Sequence, residues 1–255
     1  MNIVSRIVGV VGLLMLMVVW EGLARLGVVT PQQLPAPTVI AAAAWGEIAA
    51  GDLIEQALLT TRHLIVGYAL ATLVGIPVGF VLGRSRLLYA AVEPLIEFLR
   101  PMPVIAILPI ALLILGLGDT MIYTVIAFGS GWTMLLHAMD GARGVDPILM
   151  ETGATFRISR IRTFLTIVLP AAAPQTFTGL RVGLGIAVAI TFVVELVSGF
   201  AGGLGDYVGQ LQGALRVPEA YAGIITLALL GYVLGQILLL VETRLMAWHR
   251  GATGR

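Results

Sequence analysis

The sequence predicts an all-α integral membrane protein with about six transmembrane helices and a cytoplasmic helix between two of them. Of its 255 residues, 58% are hydrophobic and 11% are charged, against roughly 25% charged in an average soluble domain. Several uncharged stretches are about 20 apolar residues long, which is the length that a helix needs to cross a bilayer. They are continuous rather than alternating, which excludes transmembrane β-strands. The composition also excludes a soluble enzyme and a disordered chain.

The first helix has the shortest apolar run, because Glu21 and Arg25 follow it closely. Arg6 before the run would also suit a signal-peptide core, but no convincing cleavage site of small residues follows, so we expect a retained helix. The helices are expected, in order, at 7–26, 62–83, 94–116, 120–139, 172–197 and 220–243.

The fifth helix belongs to an uncharged run from Thr163 to Val194 that only Arg181 interrupts. This run is too long for one helix, and Pro170 and Pro174 predict where it divides. The connection between the first two helices carries an apolar stretch around Val39–Ala50, which predicts a short interfacial helix. No repeat stands out, so we expect one membrane domain over residues 1–255.

The arginines predict the orientation, since cytoplasmic segments of membrane proteins carry an excess of cationic residues. With the N-terminus inside, the outer segments hold Arg25 and Arg216, and Arg62 lies at the mouth of the second helix. The inner segments hold more of them: Arg6, Arg84, Arg86, Arg143, Arg157, Arg160, Arg162, Arg244, Arg250 and Arg255. Both termini are therefore expected in the cytoplasm.

The longest cytoplasmic segment, residues 140–170, carries the strongest functional pattern. A helix entered by Glu151 and closed by Pro170 would place Ala154, Ile158, Ile161, Leu165 and Val168 on one face. The opposite face would carry Thr155, Ser159, Arg162 and Thr166. On periodicity alone, an amphipathic connector lying on lipid headgroups explains this pattern.

The residue pattern of this segment favours a more specific interpretation. Glu151-Thr-Gly-Ala-Thr-Phe-Arg157 is followed by Pro170, nineteen positions after the glutamate, and then by Thr178-Gly-Leu-Arg181. This pattern resembles the "EAA" loop of ABC importer permeases, and the chain resembles the nitrate/sulfonate/taurine-type branch over nearly its whole length. The other resembling segments are Leu34–Pro37, Thr61–Tyr68, Gly75–Gly79, Leu99–Pro103, Gly202–Gly205 and Trp248-His249.

The resemblance implies a type I importer permease in the bacterial inner membrane, with an ATPase dimer, a second permease copy and an extracytoplasmic binding protein as partners. The ATPase-docking (coupling) residues it implies are Glu151, Thr152, Gly153, Ala154, Arg157, Arg160 and Pro170. The family has glycine where this chain has Arg157. We expect the turn there to use ordinary backbone angles, or Gly153 to take over the glycine's role.

Charged residues at the edges of apolar runs are candidates for a translocation path, because an unpaired charge there costs several kcal/mol. They are Arg100, Arg181 and Glu195; the alternative is that the two arginines snorkel to the headgroups. Gly203 and Gly205 lie in a glycine-rich outer loop that suits a gate or a docking surface, or is simply a flexible turn. The chain has three histidines and no cysteine, and these residues do not form a recognisable set of metal ligands.

The chain has no Lys, so it cannot carry a Gly-x-x-x-x-Gly-Lys-[Ser/Thr] nucleotide loop. We therefore expect a non-catalytic subunit that binds no cofactor, with ATP and Mg²⁺ on the ATPase partner. The formal net charge of +1 gives no reason to expect nucleic-acid binding. By resemblance, the solute is a small anion such as a sulfonate, taurine, nitrate or an organic acid. An ion-coupled secondary transporter is the second hypothesis, and a membrane enzyme the third.

Overall fold

The computed structural model describes residues 3–99 and 101–246, and these residues form helices and no strands. A 3₁₀ turn (Val104–Ile107) precedes α5, and a π-helical turn (Phe164–Val168) joins α8 to α9. The helices are α1 Ile3–Arg25, α2 Pro37–Ala50, α3 Asp52–Arg84, α4 Arg86–Leu99, α5 Leu108–Leu115, α6 Asp119–Arg143, α7 Pro147–Thr155, α8 Arg160–Thr163, α9 Leu169–Ser198, α10 Gly203–Gly213 and α11 Val217–Leu245.

Among the described residues, four continuous helical segments are long and apolar enough to cross a membrane. They are α3, α6, the run Arg160–Ser198 and α11; the sharply bent pair Arg86–Leu99 and Val104–Leu115 would make a fifth. The predicted helix at 94–116 is thus broken in its middle, where Pro101 and Pro103 supply no backbone N–H. The first predicted helix forms as α1, and its crossing of the membrane stays a prediction.

The expected division at Pro170 is wrong. The helix runs without interruption through both prolines from Arg160 to Ser198, over 39 residues. The backbone widens instead into the π turn, where the N–H of Leu169 donates to the carbonyl of Phe164, five residues back. A proline cannot donate to the fourth carbonyl before it. A π turn directly before Pro170 lets the helix continue despite that missing bond.

The chain divides into two compact units. The first comprises residues 1–60 and 195–228. In it the indole N–H of Trp20 donates to the carbonyl of Pro35 at 3.1 Å, and Thr38 donates to the carboxylate of Glu21 at the start of α2. These bonds hold the end of α1 to the beginning of α2, so the link between them is ordered.

The second unit comprises residues 61–194 and 229–255. Its α3 and α6 pack through a row of small residues spaced four apart: Gly67, Ala71, Gly75, Gly79 and Gly83. A Cβ added at Gly75 would lie 2.7 Å from the carbonyl oxygen of Gly131, and one at Gly83 would lie 2.6 Å from that of Met139. The two backbones can approach this closely only because these side chains are absent.

Candidate coupling helix and buried polar cluster

The predicted coupling segment contains a short separate helix, α7, of nine residues. Asp146 caps its N-terminus by accepting from the N–H of Ile148 at 2.8 Å, and Pro147 occupies the first turn. The predicted single helix from Glu151 to Pro170 is therefore wrong at both ends. Glu151 lies in the middle of α7 rather than at its positive end, and Pro170 lies inside the long helix that follows.

α7 ends in a Schellman motif. The N–H of Arg157 donates to the carbonyl of Ala154 at 2.9 Å, and that of Ile158 to the carbonyl of Gly153 at 3.0 Å. This motif requires a left-handed backbone conformation at position 157, and Arg157 adopts it with φ = 51°. The expectation of ordinary backbone angles is therefore wrong. Gly153 does not replace the missing glycine, because it is an ordinary helical residue of α7.

α7 has an outer and an inner face. Glu151, Thr152, Ala154 and Arg157 are exposed, whereas Gly153 is buried, with the Ile167 side chain 3.0 Å from where its Cβ would lie. Met150 packs beside Phe164 and Ile167 on a buried cluster that includes Phe80, Ala142 and Val168. α7 is thus seated on the π turn, and its other side is exposed.

The predicted apolar face of a single amphipathic helix does not form, because the helix ends at Thr155. Ile161 is 75% exposed and Leu165 is also exposed, whereas Val168 is buried. Arg160 begins the next helix, whose N-cap is Ser159, with the hydroxyl accepting from the N–H of Arg162 at 3.4 Å. The structure therefore brings Glu151 to Arg157 together in one element and places Arg160 and Pro170 in another.

In the first unit, Glu195 is completely buried at the N-terminus of α10. Its carboxylate accepts from the Thr60 hydroxyl at 2.9 Å and from the N–H of Gly205 at 3.0 Å. A carboxylate in this position is stabilised by the unpaired N–H groups and the dipole of the helix. Gly203 has φ = 88°, and a Cβ there would overlap this carboxylate.

The sequence alone did not predict the other members of this cluster. The Thr60 hydroxyl accepts from the N–H of Leu204 at 2.7 Å, and the Gln56 amide oxygen accepts from that of Gly203 at 2.7 Å. Gln56 and Thr60 are four residues apart, so they share a face of α3. Polar residues at that spacing beside an apolar run were the available signal. Gly203 and Gly205 therefore lie in the first turn of α10 and donate to side chains of α3 and α9. A gate or docking role for this segment stays a prediction.

A second polar group holds the other part of α10. Glu47 on α2 is buried; it accepts from the Tyr207 hydroxyl and, at 2.6 Å, from the Arg216 guanidinium. Burial, together with the Glu47 carboxylate, raises the pKa of the Tyr207 hydroxyl. The hydrogen bonds to Glu47 and Glu219 raise the pKa of Arg216. Both groups consequently keep their protons and remain donors.

The other pathway candidates are placed differently. Arg181 forms an ion pair with Glu242 of α11, so its charge is neutralised within the second unit. The two residues are 61 positions apart, so the sequence alone does not indicate this pair. Arg100 lies outside the described residues. Among the described residues no group of three or more His, Asp or Glu side chains could hold a metal ion.

These features are those of a multi-pass membrane protein, built from long apolar helices with a short helix set apart between two of them. Residues 75–247 match the family model described as "Binding-protein-dependent transport system inner membrane component". The chain belongs to this family, and it is the membrane-spanning permease subunit of an ABC importer, a non-catalytic subunit.

Relatives can be matched to this chain over most of its length. A protein of Methanocaldococcus jannaschii named as an ABC transporter permease is 30% identical, covering 91% of this chain and 88% of the relative. The taurine transport system permease protein of Escherichia coli K12 is 29% identical, with 93% and 88% covered. The nitrate import permease protein of Synechocystis is 28% identical over 74% of this chain and 68% of the relative.

The fold is shared with a solved transporter. A chain of the MetNI methionine ABC transporter, in an inward-facing conformation, superposes with a TM-score of 0.62 at 18% identity. The match covers 79% of this chain and 97% of that chain. This likeness confirms the predicted fold of a type I importer permease.

Proposed function

We propose that this permease carries a small anion across the membrane, delivered by an extracytoplasmic binding protein and driven by a separate ATPase subunit that binds ATP and Mg²⁺. Relatives named for taurine, nitrate, aliphatic sulfonates and bicarbonate support this substrate class. We also propose that two copies of the chain form the translocation pathway and that both termini lie on the cytoplasmic side.

The observation that carries the proposal is the seating of α7. Its inner face packs on the π turn through Gly153 and Met150, so a force applied to α7 reaches the long helix Arg160–Ser198 directly. Its outer face exposes Glu151 and Thr152 to a partner. ATP-driven closure of the ATPase pair would move α7 and thereby bias an inward-open and an outward-open state of the permease.

The buried polar cluster of Gln56, Thr60 and Glu195 around the start of α10 is proposed as part of the gate or of the binding-protein contact. Glu195, Gly203 and Gly205 anchor the start of α10, and Glu47 anchors Tyr207 further along it. Because α10 is held by buried hydrogen bonds, it moves as one body rather than as a loose loop.

Reconstitution into vesicles with the ATPase subunit and the binding protein of the same transporter tests the proposal. Uptake of labelled taurine, nitrate and an alkanesulfonate is measured with ATP inside, without ATP, and with an imposed proton or sodium gradient alone. We expect uptake of at least one of these solutes to require both ATP and the binding protein. Uptake that follows the ion gradient without ATP would instead support a secondary transporter.

A further inference from the structure

We propose that the second unit carries a binding site for one anionic phospholipid, between the end of α3 and the π turn. The site consists of two grooves that share Arg84 and Phe164. One groove suits a headgroup phosphate and the other suits an acyl chain.

The headgroup part is a groove of about 510 Å³ beside α7. Arg84 and Arg160 both line it, with Thr163 and apolar side chains between them. No Asp or Glu is among the described residues that line it, so two exposed guanidinium groups face the same space without a local counter-charge. Among the described residues, the hydrogen-bond contacts of the Arg84 guanidinium are long, at 3.4 Å to the Ala142 carbonyl and 3.9 Å to the Met150 sulfur. Its remaining N–H groups are available for a phosphate.

The acyl part is a groove of about 460 Å³ that extends from Arg84 along α3. Apart from Arg84 its described lining is entirely apolar: Ile76, Pro77, Phe80, Val81, Phe164 and Leu169. Arg84 is the last residue of a helix that is apolar enough to cross the membrane. Arginine at such a helix end lies at the depth of the lipid headgroups. The change from cationic to apolar lining therefore follows the polarity of a phospholipid from headgroup to chain.

Charge distinguishes this groove from two other apolar grooves of the second unit. One lies among Leu64, Tyr68, Leu184 and Leu238, and the other among Ala71, Val74, Phe128 and Trp132; neither has a charged residue in its described lining. Those grooves suit any acyl chain or a helix. The groove at Arg84 selects an anionic headgroup, because a zwitterionic one brings a positive charge toward two arginines.

Native mass spectrometry of the purified full chain, with dioleoyl phosphatidylglycerol or dioleoyl phosphatidylcholine added, tests the site. We expect one phosphatidylglycerol to be retained in preference to phosphatidylcholine. Arg160→Gln should weaken it at least about tenfold, the loss of one hydrogen bond to a charged group. Arg162→Gln is the matched control: it removes the same charge from the same helix, but Arg162 does not line the groove, so it should retain the lipid.

Val81→Trp provides a second test, because it fills the acyl groove at an exposed position and leaves both arginines in place. We expect it to displace the lipid to a similar extent. Equal retention of the two lipids, equal loss in Arg160→Gln and Arg162→Gln, or displacement by excess inorganic phosphate alone would overturn the proposal. The measurement needs no ATPase, so its failure would leave the proposed docking at α7 untouched.

Discussion

Arg157 shows how one residue can depart from a family pattern and still preserve the geometry that the pattern encodes. The Schellman motif needs a left-handed backbone at the position after the C-cap of α7, and two hydrogen bonds maintain it. Arginine adopts that conformation here, at φ = 51°. The conformation costs a residue with a Cβ roughly 1–2 kcal/mol relative to its preferred backbone angles. The end of α7 is consequently strained rather than remodelled.

Arg157→Gly should therefore stabilise the end of α7 by about 1 kcal/mol, because glycine avoids the cost of the left-handed backbone but loses more conformational entropy on folding. The measurement is hydrogen exchange of the segment 153–159 in the purified permease, where exchange should slow. Arg157→Ala is the matched control, since it removes the guanidinium but keeps the Cβ. If alanine slows exchange as much as glycine does, the gain comes from losing the charge and the conformational argument is wrong.

Glu195 is the second residue whose environment predicts a measurable effect. Glu195→Ala leaves the buried N–H of Gly205 without its acceptor, which should cost about 1–3 kcal/mol. We expect a lower midpoint of thermal unfolding in detergent and weaker uptake. Glu55→Ala, at an exposed position in the first turn of α3, is the control and should change both much less, because it loses only a weak contact with the helix dipole. An unaltered midpoint in Glu195→Ala would show that the cluster contributes nothing to holding α10.

At the scale of the elements, the close approach of α3 and α6 depends on the glycine row. Gly79→Ala places a Cβ against the backbone carbonyl of Leu135, which cannot move without shifting α6. We expect this single methyl group to lower the yield of folded protein in size-exclusion chromatography. Gly235→Ala on α11 is the control: a Cβ there meets nothing within 4 Å, and alanine favours a helix more than glycine does. Equal loss in both variants would contradict the packing argument.

The helices were predictable where apolar runs determine them, as for α3, α6 and α11. The end of α7 within the coupling segment was not predictable, because it depends on Arg157 in a left-handed backbone conformation that arginine disfavours. Pro170 and Pro174 were misleading for a related reason. A proline usually ends a helix, but the π turn before Pro170 absorbs the missing hydrogen bond. Neither feature leaves a trace in hydrophobic periodicity.

The candidate site was predictable in part for a different reason. Glu151, Glu195 and the glycines at 203 and 205 stand out because a charge or a glycine cluster is unusual beside apolar runs. Glu195 and Gly203 meet Thr60 and Gln56, which are distant in sequence, and only the fold shows these contacts. The same holds for the ion pairs of Arg216 with Glu47 and of Arg181 with Glu242.

For the whole molecule, the orientation in the membrane remains to be tested. The arginine asymmetry predicts residue 160 inside and residue 199 outside. The chain has no cysteine, so single cysteines can be introduced at either position without a background. We expect a membrane-impermeant thiol reagent applied to intact cells to label position 199 and not position 160. The reverse labelling would place α7 on the wrong side for an ATPase.

The most direct test of the central claim, that α7 is the docking element, is copurification of the ATPase subunit with Glu151→Lys. Reversing an exposed charge on the outer face of α7 should cost about 2–5 kcal/mol if it faces a cationic partner across a partly buried contact. We expect normal membrane insertion, loss of the ATPase from the complex and loss of uptake in the same cells. Glu55→Lys, the same reversal on α3, should retain both. Wild-type complex yield and uptake for Glu151→Lys would show that α7 is only a connector on the lipid surface.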